Sequence, residues 1–173
     1  MHQYGINIEK LGDYISKPAQ RESSWGVRAV LASVAEYRME LLEIKTGKSL
    51  ELKPFKEFET TFFVEEGKVR IDGETLREHE VVTIGPRKKG KIEAKEESIV
   101  YIFRGPSGGG KKRLKKHGLT DIREKYWGSI ATIISKKYGA KRILTRRGCQ
   151  ASLEFHCRKL EGYFIHSGKL LLR

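Results

Sequence analysis

Two stretches of this chain, about one hundred residues apart, carry matching residues in the same order, and self-similarity at such a period makes duplicated structural units the first expectation. Ser24-Trp25-Gly26 is echoed by Tyr126-Trp127-Gly128. Gly47-Lys48-Ser49-Leu50-Glu51-Leu52 lines up with Gly148-Cys149-Gln150-Ala151-Ser152-Leu153, and Thr61 through Gly67 lines up with Gly162 through Gly168. The second copy ends at Arg173, whose counterpart in the first is Asp72. The first copy runs on well past that point. One complete unit and the leading half of another are therefore expected.

The unit reads as strands. Short β-branched or aromatic runs alternate with Gly, Pro and charged turns at Arg38–Ile44, Ser49–Phe55, Thr60–Val64, Lys68–Asp72, Glu80–Ile84 and Ser98–Phe103. Closely spaced strands of this kind build a sandwich or a barrel. Only Asn7–Ile15 and Asp121–Tyr126 read as weakly helical. From Gly105 to about residue 120 the composition shifts to a Gly-rich stretch and a dense basic run, Lys111-Lys112-Arg113-Leu114-Lys115-Lys116, as a linker would. The predicted organisation is a barrel at 1–104, a linker at 105–120 and half a barrel at 121–173.

One motif carries chemistry. The second copy reads Gly148, Glu154, His156, Glu161, Gly168. Residues two apart on a strand share a face, so Glu154 and His156 point one way, and Phe155 and Cys157 the other. Glu161 is expected to open the next strand, with Tyr163 and Ile165 inward and His166 outward. Two carboxylates and an imidazole converging in a barrel suit a divalent ion such as Zn, Mn, Fe or Ni.

These spacings resemble the cupin superfamily, whose first motif is a Gly, two ligand positions two apart, a Glu and a closing Gly. Ser152-Leu153-Glu154-Phe155-His156, Glu161-Gly162-Tyr163-Phe164-Ile165 and the Tyr-Trp-Gly opening are similar to the mannose-6-phosphate isomerase-type cupins. The resemblance implies an all-β fold, a double-stranded β-helix or jelly-roll barrel followed by a truncated second unit. It implies metal ligands at Glu154, His156 and Glu161, with a further His beyond Arg173. Glu154 departs from the His or Gln of that pattern. No general base is legible.

The first copy lacks the set. Its aligned positions are Lys53, Phe55 and Thr60, and its second motif, His79 through Gly90, places Gly90 where a His belongs. These four residues do not make a metal site. Lys53 at an inward position would be costly to bury unpaired, so it is expected at the barrel mouth.

The net charge is +13, from 35 basic and 22 acidic residues. That excess favours anionic partners, or gives a merely solvated surface. Two cysteines, Cys149 and Cys157, are too few for a disulfide framework. With no apolar run of membrane length and no basic, then apolar, leader at Met1, a cytoplasmic protein is expected. Gly105 to Lys112 matches Gly-x-x-x-x-Gly-Lys, yet Lys112 stands where magnesium would need Ser or Thr, and no βαβ pattern surrounds it. The basic run lacks aromatics for base stacking, so nucleic acid is the weaker expectation.

Three functions follow as expectations. One is a metal-dependent sugar-phosphate isomerase, as the resemblance implies. Another is a non-catalytic module that binds a sugar, a phosphorylated ligand or a partner protein. The third is nucleic-acid binding through the basic run. Half a barrel would expose a strand edge, so a homodimer, another chain or more of the same chain is expected to complete it.

Overall fold

The computed structural model describes residues 18–54, 56–107, 116–151 and 161–169. Every regular element among them is a strand: β1 (Ala19–Ser23), β2 (Gly26–Ser33), β3 (Arg38–Ile44), β4 (Ser49–Leu52), β5 (Phe58–Glu66), β6 (Val69–Ile71), β7 (Glu74–Leu76), β8 (Val81–Ile84), β9 (Gly90–Ala94), β10 (Ser98–Pro106), β11 (Thr120–Lys125), β12 (Gly128–Ser135) and β13 (Gly139–Thr145). No helix of the described residues is long and apolar enough to cross a membrane.

Pairing is antiparallel throughout, in sheets ordered β1-β2-β3-β10-β5-β8, β4-β9-β6-β7 and β11-β12-β13. In the first two, β3 pairs β10, β4 pairs β9, β5 pairs β8 and β6 pairs β7. That is a long hairpin folded over on itself, with alternate pairs in opposite sheets, which is a jelly roll. The two sheets close on an apolar filling. Leu42, Ile44, Leu52, Phe62, Val64, Val69, Ile71, Leu76, Val82, Ile84, Ile92, Val100 and Ile102 pack there. Strand alternation produces this: in β10, Val100 and Ile102 face in while Tyr101 and Phe103 face out.

The outward row belongs to a second core. Ala29, Leu41, Phe63, Val81, Tyr101 and Phe103 on the back of the large sheet pack with Ile133, Ile134 and Ala140 of β12 and β13. The third sheet therefore lies against the outside of the barrel.

This third sheet repeats β1–β3 in detail. Gly26 sits opposite Ile44 and Gly128 opposite Thr145. Lys45 N donates to Trp25 O at 3.0 Å, and Arg146 N to Trp127 O at 2.7 Å. The register slips between Val30 and Ala32 in one unit and between Thr132 and Ile134 in the other. The extra residues of these bulges, Leu31 and Ile133, both pack into the second core. Gly26 and Gly128 each lie against a backbone carbonyl at positive φ, +146° and +151°. Any Cβ there would overlap that oxygen.

Three expectations change. Asp121–Tyr126 is not helical: Thr120–Lys125 is β11, exposed along its whole length. It has no apolar stripe at helical spacing to bury, and the β12 edge supplies its backbone partners instead. Gly105 and Pro106 are not linker but the end of β10, opposite Glu59 and Phe58. Residues 161–166 form no strand. Tyr163 and Ile165 are 73% and 48% exposed rather than inward, and Phe164 packs into the second core in their place.

Candidate functional site

The open end of the barrel is where a ligand could enter, and the registers define what lines it. Arg38, Arg104, Thr60 and Ile84 stand side by side across β3, β10, β5 and β8. The 53–57 and 85–89 connections close the same end, joining β4 to β5 and β8 to β9. One layer deeper lie Glu40, Ile102, Phe62 and Val82.

Charge gathers at this mouth. Glu40 is fully buried, and three arginines converge on it. Its Oε1 accepts from Arg28 Nη2 and from Arg38 Nε, both at 2.6 Å, and its Oε2 accepts from Arg104 Nη1 at 2.7 Å. Burial pushes the Glu40 carboxyl up, but Arg104 together with the bonds from Arg38 and Arg28 outweighs it and holds the group below its ordinary value. Arg104 is 1% exposed, and its guanidinium is pulled below the ordinary value by burial despite Glu40. Arg28 and Arg38 keep 33% and 27% of their side chains in solvent. Sequence reading missed this cluster because the four residues sit on three strands. A partial signal existed: Arg28 interrupts an otherwise apolar run at 27–32, and Glu40 breaks the apolar residues that follow Arg38.

The residues aligned with metal ligands in this barrel do not fit a metal. Lys53 is exposed beyond the end of β4. Phe55 lies outside the described residues. Thr60 is buried beside Arg104 and offers one neutral hydroxyl. Gly90 has no side chain, and a Cβ built on it would lie 3.2 Å from Phe62 Cζ and 3.3 Å from Ile84 Cδ1. Hydrocarbon therefore lies against the position that a side chain at residue 90 would need.

Glu154 and His156 of the second copy lie outside the described residues. Glu161 is exposed and accepts a hydrogen bond from the Tyr163 hydroxyl at 3.2 Å. It lies close enough to Tyr37 that, after burial, its charge is the main influence raising the Tyr37 hydroxyl above its ordinary value. Among the described residues, no three His, Cys, Asp or Glu side chains are grouped to hold a metal ion. His166, expected outward, instead turns to the barrel: Nδ1 lies 2.7 Å from the Tyr101 hydroxyl and Nε2 3.7 Å from Glu66 Oε1.

No protein-family model matches the chain, and no curated protein matches it. Among solved structures it is similar to a variant of oxalate decarboxylase from Bacillus subtilis, at 16% identity and a TM-score of 0.46. That match covers 54% of this chain and 29% of the other, so the chain spans under a third of that protein. It is also similar to KdgF from Halomonas sp., at 14% identity over 51% of this chain and 88% of the other, TM-score 0.44. A cupin_2 domain of an XRE family transcriptional regulator from Enterobacter cloacae gives 15% identity over 49% and 99%, TM-score 0.44.

Strand order, with β3·β10 and β5·β8 in one sheet and β4·β9 and β6·β7 in the other, defines a jelly roll. This is an all-β jelly-roll protein.

Proposed function

We propose that the chain is a non-catalytic cupin-fold binding module, whose complete barrel takes a small sugar or phosphorylated ligand at its open end without a metal. One observation carries this reading. Phe62 and Ile84 occupy the space in front of Gly90, and Lys53 and Thr60 supply no metal-binding pair. A barrel filled in this way has only its rim to offer a ligand, and that rim is basic.

A second reading keeps the spacing of Glu154, His156 and Glu161 as a metal set in a sugar-phosphate isomerase of the mannose-6-phosphate type. Alternation along a strand favours it, since Glu154 and His156 would share a face. Metal analysis of the purified chain beside His156→Ala, with turnover of mannose 6-phosphate to fructose 6-phosphate, separates the two. Metal-free, inert protein is expected. Stoichiometric metal that His156→Ala removes, accompanied by turnover, would overturn the module reading.

A further inference from the structure

The Glu40 cluster is out of charge balance. Among the described residues, three guanidiniums surround one carboxylate, a formal excess of two positive charges in the cluster. Arginines this close repel one another, and Arg28 and Arg38 both act against the charged form of Arg104. Arg28 Nε is buried and has no hydrogen-bond partner among the described residues. An unpaired buried donor is a standing cost in the absence of an acceptor.

Access is one-sided. Glu40 and Arg104 form the floor, while the partly exposed Arg28 and Arg38 form the wall that faces solvent. The buried Thr60 hydroxyl belongs to the residue beside Arg104 on β5. Lys53, Lys88 and Lys89 are exposed on the two loops that close this end. Lys56 and Arg87 line, with Pro54, an open depression of about 470 Å³ on the same loops. The only described carboxylate on those loops is the exposed Glu57. Below the rim Phe62 and Ile102 close the barrel, so a ligand can insert only a compact head group.

We propose that Arg28, Arg38 and Arg104, held in place by Glu40, form a binding site for the phosphate group of a small phosphomonoester. Guanidinium forks match the oxygens of such a group in pairs, and its dianion cancels the excess that Glu40 leaves. A single carboxylate would cancel half of it. A dicarboxylate carries its two charges at separate atoms and does not fit one compact site. The remainder of the ligand would lie over the depression lined by Lys56 and Arg87. Glu40 is a positioning residue, since it fixes the three forks and accepts from each.

This inference rests on the reading of the barrel as a binding module, and its test is separate from metal content and turnover. The full chain is titrated calorimetrically with inorganic phosphate at mildly alkaline pH, against sodium chloride and malonate at equal ionic strength. Phosphate is expected to give saturable heat, and chloride and malonate none. Arg28→Gln and Arg38→Gln are each expected to weaken phosphate binding by about tenfold or more, the loss of one charge-assisted contact. Lys48→Gln, in the turn before β4 at the opposite end of the barrel, is expected to leave it within about twofold. Melting in chloride controls for folding, and both arginine variants are expected to stay folded and to melt a few degrees below the parent, because each removes one charge-assisted bond to the buried Glu40. Phosphate heat no greater than that of chloride, heat equalled by malonate, or heat that survives both arginine substitutions would overturn the proposal.

Discussion

Arg142 holds Glu65 in a two-pronged ion pair, with Nε 3.0 Å from both carboxylate oxygens and Nη2 2.6 Å from Oε1, across 77 residues of chain. Lys136 meets Glu59 at 2.7 Å, and Tyr138 meets Thr61 at 2.7 Å, at the same separation of 77. A constant separation means the two segments climb side by side in one direction. The third sheet is thus registered on β5 by polar side chains as well as by the apolar core beneath. The Tyr138 ring lies so close over Gly105 that a Cβ there would come within 2.4 Å of it.

The Arg142–Glu65 pair should couple the sheet to the barrel measurably. Both side chains are mostly buried, 23% and 11% exposed, so the pair is worth more than a surface bridge. Arg142→Met and Glu65→Gln are each expected to cost about 1–3 kcal/mol. In a double-mutant cycle by denaturant unfolding the two losses should overlap by about 1 kcal/mol or more. Strict additivity would mean that this pair adds nothing to the docking supplied by the apolar core and by the Lys136–Glu59 and Tyr138–Thr61 contacts.

Glycines at matching positions of the two units should respond alike, and differently from glycines in turns. Gly128→Ala would put a Cβ 1.8 Å from Leu144 O, and Gly26→Ala would put one 1.9 Å from Glu43 O. Each is expected to cost about 3 kcal/mol or more, since a backbone carbonyl must move. Gly148→Ala, at φ +75° with nothing within 4 Å, is expected to cost only about 1 kcal/mol. Thermal melts of the three variants check the order.

Glu40 should control the acid limb of stability. Its folded-state carboxyl lies below the ordinary value, and an unfolded Glu titrates near about 4.3. Between those points the unfolded chain binds the proton more readily, so stability rises with pH. The contribution is fully present above about pH 5 and is lost as pH falls through the folded value. Glu40→Gln is expected to flatten that limb. It should also cost about 3–5 kcal/mol at neutral pH, because three arginines lose their counter-charge. Urea midpoints measured from pH 3 to pH 7 decide it.

The filled interior makes a prediction about restoring a ligand. Gly90→His is expected to destabilise by about 1–3 kcal/mol, since Phe62 and Ile84 already fill the space, and to gain no zinc affinity. Phe62→Ala, which opens a cavity, is expected to cost about 3–5 kcal/mol. Zinc titration followed by melting temperature tests both.

Much of the barrel was legible because strand pattern is local. The run Arg38–Ile44 coincides with β3 to the residue, and the runs at Ser49, Thr60, Glu80 and Ser98 each contain or overlap an observed strand. β1, β2, β7 and β9 lie outside those runs, and β7 and β9 are short, with polar or charged residues between the apolar ones, so their pattern is faint. β11 carries no strand signal, since every residue of Thr120–Lys125 is exposed and neither period marks it. Its conformation is imposed by the neighbouring strand.

What the sequence determined alone was the duplicated turn, the alternation that gives a barrel its apolar inside, and the absence of ligands at Lys53, Thr60 and Gly90. All of these depend on residue type at fixed spacing along the chain. Only the tertiary structure decided that the third sheet packs on the back of the barrel. It alone placed Phe164 and His166 against Tyr101, and brought Arg28, Arg38 and Arg104 around one buried carboxylate. Most of those neighbours lie far apart along the chain, and adjacency in space depends on register and closure, which no local pattern encodes.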